Sequence, residues 1–222
     1  MEALPAQDPR GRSEPDGDPA PSALAITTPA EKDRQAAVRV LARAFRDNPL
    51  TQAVVGTDPA RRLRSNLHGM GALLPVASRW GLVLAALRGP DVVGVLLAAP
   101  PYTYPFPPAA PWLRVRCLLG QGWSVWTRWN RAFEQLHALH PTLPHWYLGT
   151  LGVDPPAQGA GVGRGLLHAF LARADADALP AYLETDRSEN VAFYRRSGFE
   201  ISQCTQILGV RVWCMLRPAA SL

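Results

Sequence analysis

The sequence has few of the residues that metal sites, disulfide frameworks and membrane spans require. Its three cysteines, Cys117, Cys204 and Cys214, are odd in number and far apart in the chain. This spacing argues against a disulfide framework and paired-cysteine metal ligands, so we expect no metal site and buried thiols in a reducing compartment. No run of about 18 uncharged apolar residues occurs, and the N-terminus lacks the basic start and apolar core of a signal peptide. We therefore expect a soluble cytoplasmic protein with no membrane partner.

Charge is scarce and unevenly distributed. Charged residues make up 18% of the sequence and hydrophobic residues make up 47%. Lys32 is the only lysine among the 23 basic side chains; this preference for arginine indicates the base composition of the genome and not a function. Residues 1–22 hold five acidic side chains, two arginines and several prolines, which predicts a disordered acidic Pro-rich tail with a net charge of −3. Because the whole chain carries +5, the remainder carries +8. A basic body suggests an anionic partner, either a phosphorylated cofactor or a nucleic acid.

Residues 23–218 are long and apolar enough to form a single folded domain. Hydrophobic periodicity predicts a strand at 23–27, helices at 35–48 and 58–76, and a hairpin of strands at 80–87 and 91–99. Asp58 and Pro59 are typical of the N-cap and the first position of a helix. The arginines that follow are expected on a solvated helix face; they are Arg61, Arg62 and Arg64.

Aromatic residues are concentrated between Pro100 and Pro144. Four of the seven tryptophans lie there with arginines between them, after the Pro-rich run PPYTYPFPPAAPW. One interpretation is a helix whose aromatic side chains pack on the sheet. The other is a cavity lined for a flat or apolar ligand. A nucleic-acid surface is favoured less, because no stacking motif or repeated spacing accompanies the basic residues.

An apolar strand, a Gly-rich turn and an amphipathic helix follow between His145 and Phe170. In the turn, the small residues of the run QGAGVG at 158–163 allow an anion to approach the main chain. The first turn of the following helix offers unpaired N–H groups and the positive end of a dipole. This order predicts a pyrophosphate site, although such turns also serve tight packing alone.

The remaining chain continues with strand, helix and strand. Ala181–Thr185 is a short strand, Ser188 is a good N-cap for the next helix, and Gly198 is typical of a helix stop. Residues 209–216 are strand-like and are expected to close the sheet. This βαβ-type order predicts an α/β fold in which helices cover both faces of a mixed sheet.

Two runs, VDPPAQGAGVGRGLL and YLETDRSENVAFYRRSGFEI, together resemble the acetyl-CoA signature of the GNAT superfamily of N-acetyltransferases. Gln-x-x-Gly-x-Gly followed by Asn-x-x-x-Tyr and Gly-Phe is specific, whereas either half alone is weak. The runs LARAFRDNPLTQAVV, HWYLGTLGV and VWCMLRP are further similar to puromycin N-acetyltransferases, over about residues 24–218. The resemblance implies a mixed, mostly antiparallel sheet and the use of acetyl-CoA.

The resemblance also implies which residues hold the cofactor. Its pyrophosphate would lie on the backbone amides of Gln158, Gly159, Ala160, Gly161, Val162, Gly163 and Arg164. The preceding strand, at Leu151, Gly152 and Val153, would hydrogen-bond the pantetheine arm. Asn190 and Tyr194 share one helix face. Asn190 matches a CoA-contacting position, and Tyr194 matches the tyrosine that protonates or hydrogen-bonds the sulfur; alternatively, Tyr194 is a core aromatic.

The general base is a separate question. An acceptor ammonium must lose a proton before it attacks a thioester, and Glu184 stands where a carboxylate could accept that proton directly or through water. Many relatives carry a glutamate on the strand before the Gly-rich turn, and here that strand has none. Glu184 could instead be structural, pairing with Arg187 or Arg195. His140 and His145 are further candidates for the base, although each is expected to be a loop histidine instead.

These implications predict an N-acetyltransferase that transfers acetyl from acetyl-CoA to a primary amine by direct attack in a ternary complex. The acceptor is expected to be a small-molecule amine, an aminonucleoside antibiotic being one candidate, bound by Phe45, Asp47, Asn48, Tyr102 and Trp123. The alternatives are a non-catalytic acyl-CoA-binding module, acetylation of a protein amine or polyamine, and a nucleic-acid binder. We expect no nucleic acid as partner; the sequence leaves the oligomeric state open.

Overall fold

The computed structural model describes residues 23–219, so the predicted acidic tail at 1–22 lies outside the described residues. The strands are β1 (Leu24–Thr27), β2 (Leu82–Arg88), β3 (Asp91–Ala99), β4 (Trp146–Val153), β5 (Ala181–Thr185), β6 (Glu200–Ile207) and β7 (Val210–Arg217). The α-helices are α1 (Arg34–Ala44), α2 (Pro49–Val55), α3 (Pro59–Trp80), α4 (Pro111–Gln121), α5 (Trp123–His137), α6 (Val162–Ala176) and α7 (Ser188–Arg195).

The strands form one seven-stranded sheet in the order β1-β2-β3-β4-β5-β7-β6. Every neighbouring pair is antiparallel except β4 and β5, which are parallel. The predicted mixed, mostly antiparallel sheet is therefore confirmed. The expectation that the last strand closes the sheet is wrong, because β7 inserts between β5 and β6 and leaves β6 at the edge. The two edge strands of the sheet are therefore β1 and β6.

Helices cover both faces of the sheet. Helix α6 buries Leu166, Leu167 and Phe170 against one face, where Leu96 and Leu148 of the central strands meet them. Helices α1 and α3 bury Leu41 and Leu74 against the other face. Burial of such side chains contributes about 1.5–3 kcal/mol each, so these two layers hold the central strands in place. The Gly-rich turn is fixed between β4 and α6 as a result.

Two helix boundaries differ from their predictions because tertiary packing overrides local signals. Helix α1 ends at Ala44, before the predicted end near Asn48, and the short helix α2, which was not predicted, begins at Pro49. Helix α3 contains Pro75 and continues beyond the predicted end at Val76 to Trp80, because Leu74 and Ala77 on its inner face are buried in the core. Asp58 caps α3 as predicted, accepting from the Ala60 N–H.

Two expectations about exposure and one about a helix cap are also corrected. Arg62 is buried and donates to the backbone carbonyls of Arg46, Gly56 and Thr57, whereas Arg61 is exposed as expected. Cys204 is exposed and Cys117 is half-buried, so of the three thiols only that of Cys214 is buried. The predicted cap is displaced by one residue: Ser188 is the first residue of α7, and Arg187 occupies the N-cap position without a side-chain hydrogen bond.

Strands β4 and β5 separate part-way along their length. They pair only over Trp146–Leu148 and Ala181–Leu183. In the pairing of β4 with β3, Leu148 lies opposite Ala98 and Thr150 lies opposite Leu97. Gly149 has no partner on β3 and forms a β-bulge. Beyond the bulge, β4 continues to Val153 with β3 on one side. Its other edge has no strand partner within residues 23–219.

Candidate active site

The separation of β4 from β5 opens a cavity of about 670 Å³ beside the Gly-rich turn. Its wall combines the end of β4, the turn, the first residues of α6 and one face of α7. The predicted cofactor residues in this wall are Leu151, Gly152, Val153, Gln158, Gly159, Gly161, Val162, Gly163, Arg164 and Asn190. Ala160 lies in the same turn but outside the wall. We call this space the β4–α6 cavity.

The turn presents bare backbone to the β4–α6 cavity. Gly159 and Gly161 both have φ of +79°, the left-handed region that favours glycine. A Cβ at Gly159 would meet no heavy atom within 4 Å, and one at Gly161 would meet only the Arg164 side chain at 3.7 Å. The space above the glycines is therefore open to an anion, while Gln158 Nε2 donates to Val153 O and fixes the turn to the end of β4.

Positive charge surrounds the same opening. Arg164, Arg187 and Arg196 all line the β4–α6 cavity, and the fifteen-residue helix α6 directs its N-terminus there. These groups complement an anionic ligand with several phosphates. Arg187 and Arg196 were not predicted as site residues; their position on either side of Asn190 in α7 was the available signal. The donor set therefore fits the pyrophosphate and phosphate groups of CoA.

A second cavity, of about 650 Å³, lies on the α3 face of the sheet. We call it the aromatic cavity, because Trp126, Trp129 and Phe133 of α5 line it together with Tyr104 and Tyr147. Met70, Leu73 and Val76 of α3 form its opposite wall. Its polar groups include Asn66, Gln121, Asn130, Thr150 and Arg114, and no carboxylate is among its lining residues.

The walls of the two cavities include consecutive residues of β4. Gly149 and Thr150 line the aromatic cavity, and the next residue, Leu151, lines the β4–α6 cavity. The two cavities therefore lie on either side of the same short stretch of β4, at the bulge.

Comparison with known proteins decides the family. A model of the acetyltransferase (GNAT) family matches residues 76–199, more than half of the chain. The chain belongs to the GNAT acetyltransferase family. It is accordingly an acetyl-CoA-dependent acetyltransferase that acts on amines, and the β4–α6 cavity has the groups that the cofactor requires.

Solved structures of other acetyltransferases share the fold. The Corynebacterium glutamicum protein described as histone acetyltransferase HPA2 and related acetyltransferase is 23% identical with a TM-score of 0.64, covering 90% of this chain and 98% of that one. A Drosophila melanogaster polyamine N-acetyltransferase that forms N-acetylagmatine is 13% identical with a TM-score of 0.62, covering 87% and 99%. The PaiA N-acetyltransferase of Thermoplasma acidophilum, solved with coenzyme A, is 13% identical with a TM-score of 0.53, covering 88% and 99%.

Tyr194 lies next to the wall of the β4–α6 cavity and not in it. Its ring packs edge-on to Phe193 and Phe199, with centroids 5.0 and 5.8 Å away, and Phe193 is the residue that lines the cavity. Burial raises the pKa of the Tyr194 hydroxyl above its ordinary value, which keeps it protonated. Asn190 donates from Nδ2 to the Thr185 hydroxyl and lines the cavity as predicted.

The residues that were predicted to bind the acceptor lie in different places in this GNAT protein, and none of the five lines the aromatic cavity. Phe45 and Asn48 line the β4–α6 cavity and not the aromatic cavity. Asp47 lines neither, because its carboxylate pairs with Arg46 and Arg62. Tyr102 and Trp123 are 87% and 67% exposed and also lie outside both walls.

The residues that line the aromatic cavity are near neighbours of the two exposed predictions. Tyr104 stands two residues from Tyr102, and Trp126 is three residues from Trp123 and stacks on it with centroids 5.4 Å apart. The segment therefore supplies residues to a cavity wall, which is one of the two interpretations that its sequence allows, whereas Tyr102 and Trp123 themselves lie outside that wall. The interpretation that its tryptophans pack on the sheet is wrong for Trp112 and Trp123, which are exposed.

Glu184 lies on β5, at the first position beyond its pairing with β4. Its side chain is buried and pairs with neither Arg187 nor Arg195; its ionic neighbour is His140, with Oε1 3.3 Å from Nε2. His140 lies in the loop between α5 and β4, as expected, and its side chain is buried against Glu184.

Two structural observations concern membranes and metals. None of the helices within residues 23–219 has the length and hydropathy to cross a bilayer. Across the same residues, no three His, Cys, Asp or Glu side chains cluster as metal ligands.

Proposed function

We propose that this enzyme acetylates the primary amine of a small molecule with a large apolar body, which binds in the aromatic cavity while acetyl-CoA binds in the β4–α6 cavity. The observation that supports the proposal is that consecutive residues of β4, Thr150 and Leu151, belong to the walls of the two cavities. Acetyl-CoA supplies the thioester. Direct attack in a ternary complex then needs no covalent enzyme intermediate.

The chain's own residues supply binding and proton transfer. The amides of Gly159 to Gly163 and the arginines around them hold the phosphates, and the free edge of β4 aligns the pantetheine arm. Glu184 accepts the proton that the ammonium must lose. The Tyr194 hydroxyl, which carries its proton at neutral pH, donates that proton towards the departing sulfur.

An aminonucleoside of the puromycin type fits this acceptor class. The cavity is walled by aromatic rings suited to flat groups, and the sequence is similar to puromycin N-acetyltransferases along most of its length. Acetylation removes the positive charge of the amine, so the product would no longer present the cation to its target. Antibiotic detoxification is the role that follows from this acceptor.

Polyamines fit the aromatic cavity less well. A polycation requires carboxylates along its length, and none lines this cavity, whereas Arg114 adds positive charge. The polyamine acetyltransferase of Drosophila melanogaster shares the fold at 13% identity, which carries no argument about the acceptor. A protein N-terminus, a lysine side chain and non-catalytic CoA binding remain as outcomes of the test.

The test is a screen of acceptor amines with release of free CoA as the signal. Puromycin, 2-phenylethylamine, spermidine, agmatine and a lysine-containing peptide are each supplied with acetyl-CoA. We expect turnover of the first two and a kcat/KM at least about 100-fold lower for the polyamines, since each uncompensated charge is costly to bury. Preference for spermidine or the peptide would overturn the proposal, and CoA binding without turnover of any amine would favour the non-catalytic module.

Tyr194→Phe tests the proton donor with the best acceptor from that screen. The variant keeps the ring between Phe193 and Phe199 and removes only the hydroxyl, so we expect kcat to fall about 10–100-fold with the KM for acetyl-CoA unchanged. Initial rates and melting temperatures are measured together. Unchanged turnover would show that Tyr194 is a core aromatic.

A further inference from the structure

A buried carboxylate and a buried imidazole face each other behind the aromatic cavity. The side chains of Glu184 and His140 are 6% and 8% exposed, and the atoms 3.3 Å apart are Oε1 and Nε2. Neither atom has a hydrogen-bonding partner within residues 23–219. Buried polar atoms are nearly always hydrogen-bonded, so this pair requires an explanation.

The neighbouring hydrogen bonds determine where protons lie. His145 Nδ1 is 2.7 Å from Leu143 O, and because a carbonyl only accepts, Nδ1 carries the proton. Burial lowers the pKa of His145, so its ring is neutral at neutral pH and its Nε2 accepts from His140 Nδ1 at 3.3 Å. A neutral His140 therefore presents an Nε2 lone pair to the Glu184 carboxylate. Two lone pairs in contact repel until one proton binds between them.

Two tyrosines separate this pair from the aromatic cavity. The Tyr104 ring stacks on His140 with centroids 4.6 Å apart, and the Tyr147 ring lies 4.4 Å from the same imidazole. Both tyrosines line the cavity. Burial, and then the charge of Glu184, raise the pKa of Tyr104 to about 12 and that of Tyr147 further. Such hydroxyls keep their own proton at neutral pH, so they can pass a proton on but cannot store one.

We propose that the His140–Glu184 pair is the proton store of the reaction and that Tyr147 relays the acceptor's proton to it. The inference rests on the proposed function. It supplies a path for the proton from the acceptor to Glu184, which is needed because the Glu184 carboxylate lines neither cavity. The ammonium N–H bond breaks as its proton moves to the Tyr147 oxygen, while the Tyr147 hydroxyl proton moves to the Glu184 carboxylate. The proton then lies between Oε1 and Nε2, and the amine is free to attack.

Other titratable groups surround the pair. They are Tyr182 on β5, Cys214 on β7, His137 on α5, and Tyr104 and His145 on the loops. Tyr182 provides a matched control, because its hydroxyl lies near Glu184 but donates to Leu139 O and does not line the cavity. His140 is a positioning residue, since it acts through Glu184.

The experiment compares two acceptors of similar size and different basicity. 2-Phenylethylamine is an ammonium at pH 7, whereas O-benzylhydroxylamine is already neutral and has no proton to lose before attack. We expect Glu184→Gln and Tyr147→Phe to lose about 100-fold in kcat/KM with 2-phenylethylamine and less than about 3-fold with O-benzylhydroxylamine. Tyr182→Phe should behave as wild type with both. Equal losses with the two acceptors, or no loss with either, would overturn the relay.

The pH profile separates positioning from damage to the fold. The dependence of kcat/KM on pH is measured for 2-phenylethylamine in the wild type and in His140→Gln. The glutamine side-chain amide donates to Glu184 and stabilises the carboxylate, so the acidic limb of the profile should lie at lower pH in the variant than in the wild type. A lower rate with an unmoved profile would mean that His140 only supports the loop and would overturn its role.

Failure of the relay is distinguishable from failure of the proposed function. If the wild type acetylates another amine of the screen but neither aryl amine, the aromatic cavity is not the acceptor site and the relay is overturned with it. If the wild type binds CoA and acetylates no amine at all, the proposed function itself is wrong. Melting temperatures of all variants identify any loss caused by unfolding.

Discussion

Gly161 combines a backbone conformation that favours glycine with a position at the anion site. We predict that Gly161→Asp abolishes measurable acetyl-CoA binding, because it places bulk and negative charge where we propose that the pyrophosphate binds. Gly161→Asn is the matched control, since Asn has the same size, tolerates positive φ and carries no charge. Isothermal titration should show at least about 10-fold weaker binding for Asp than for Asn at equal melting temperature. Equal affinities would mean that the anion site lies elsewhere.

Arg62 is a structural arginine in a run that resembles a solvated basic face. Its guanidinium donates to three carbonyls and to Asp47 Oδ1 at 2.7 Å, which ties α3 to the α1–α2 connection. We predict that Arg62→Lys lowers the free energy of unfolding by about 2–3 kcal/mol, because an ammonium cannot reach all four acceptors. Arg61→Lys, at the exposed neighbouring position, should change it by less than about 0.5 kcal/mol. Urea denaturation measures both, and equal effects would contradict the assignment.

Helix α6 shows how stability and binding oppose each other within one element. Gly163 lies in its first turn, and an added Cβ would make only ordinary contacts of 3.5–3.7 Å with Val153, Leu151 and Phe193. Gly163→Ala should therefore stabilise the cofactor-free protein by about 0.5–1 kcal/mol. The same methyl group stands in the wall of the β4–α6 cavity, so affinity for CoA should fall.

Gly165→Ala is the control for the binding half of this prediction, because Gly165 is on the same helix but outside that wall. Its added Cβ would lie 2.9 Å from Ile26 Cδ1, so a gain in stability is expected only for Gly163→Ala. Thermal unfolding without cofactor and titration with CoA give the two quantities for both variants. A Gly163→Ala protein that is more stable and binds CoA as tightly as the wild type would show that the cofactor does not approach this residue.

The elements of the cofactor half were predictable from sequence, whereas those of the acceptor half were not. The strand, turn and helix around Gly161 follow from glycine spacing and periodicity, which act locally. Even the bulge left a local trace: apolar residues fall on even positions at Trp146 and Leu148 and on odd positions at Leu151 and Val153. This change of phase at Gly149 is therefore a sequence signal for the bulge.

The acceptor half depends on how helices α4 and α5 dock. Trp123 and Trp126 both look like candidates for a cavity wall, yet one is 67% exposed and the other lines the aromatic cavity. The face that α5 turns inward is determined by packing on α2, β6 and β7, which a single sequence does not reveal. The pair of His140 and Glu184 is likewise invisible, because 44 positions separate two residues that only the sheet brings together.

At the scale of the whole molecule, two cavities on one strand predict that both substrates bind before acetyl transfer. Cys117 lines the aromatic cavity, and burial raises the pKa of its thiol, so it is a poor nucleophile at neutral pH. Double-reciprocal plots for acetyl-CoA and the acceptor should intersect, and Cys117→Ser should keep at least about half of the wild-type rate. Parallel lines together with an inactive Cys117→Ser variant would indicate an acetylated cysteine instead.

The free edge of β4 also bears on how the purified protein behaves in storage. Its unpaired N–H and C=O groups beyond Gly149 resemble those of an exposed edge strand, which can pair with other chains and lead to aggregation. Their amide hydrogens should exchange rapidly with solvent in the cofactor-free protein. A pantetheine arm bound as proposed would cover this edge as an added strand would. CoA would therefore act as a formulation agent, slowing both hydrogen exchange and precipitation even when no acceptor is present.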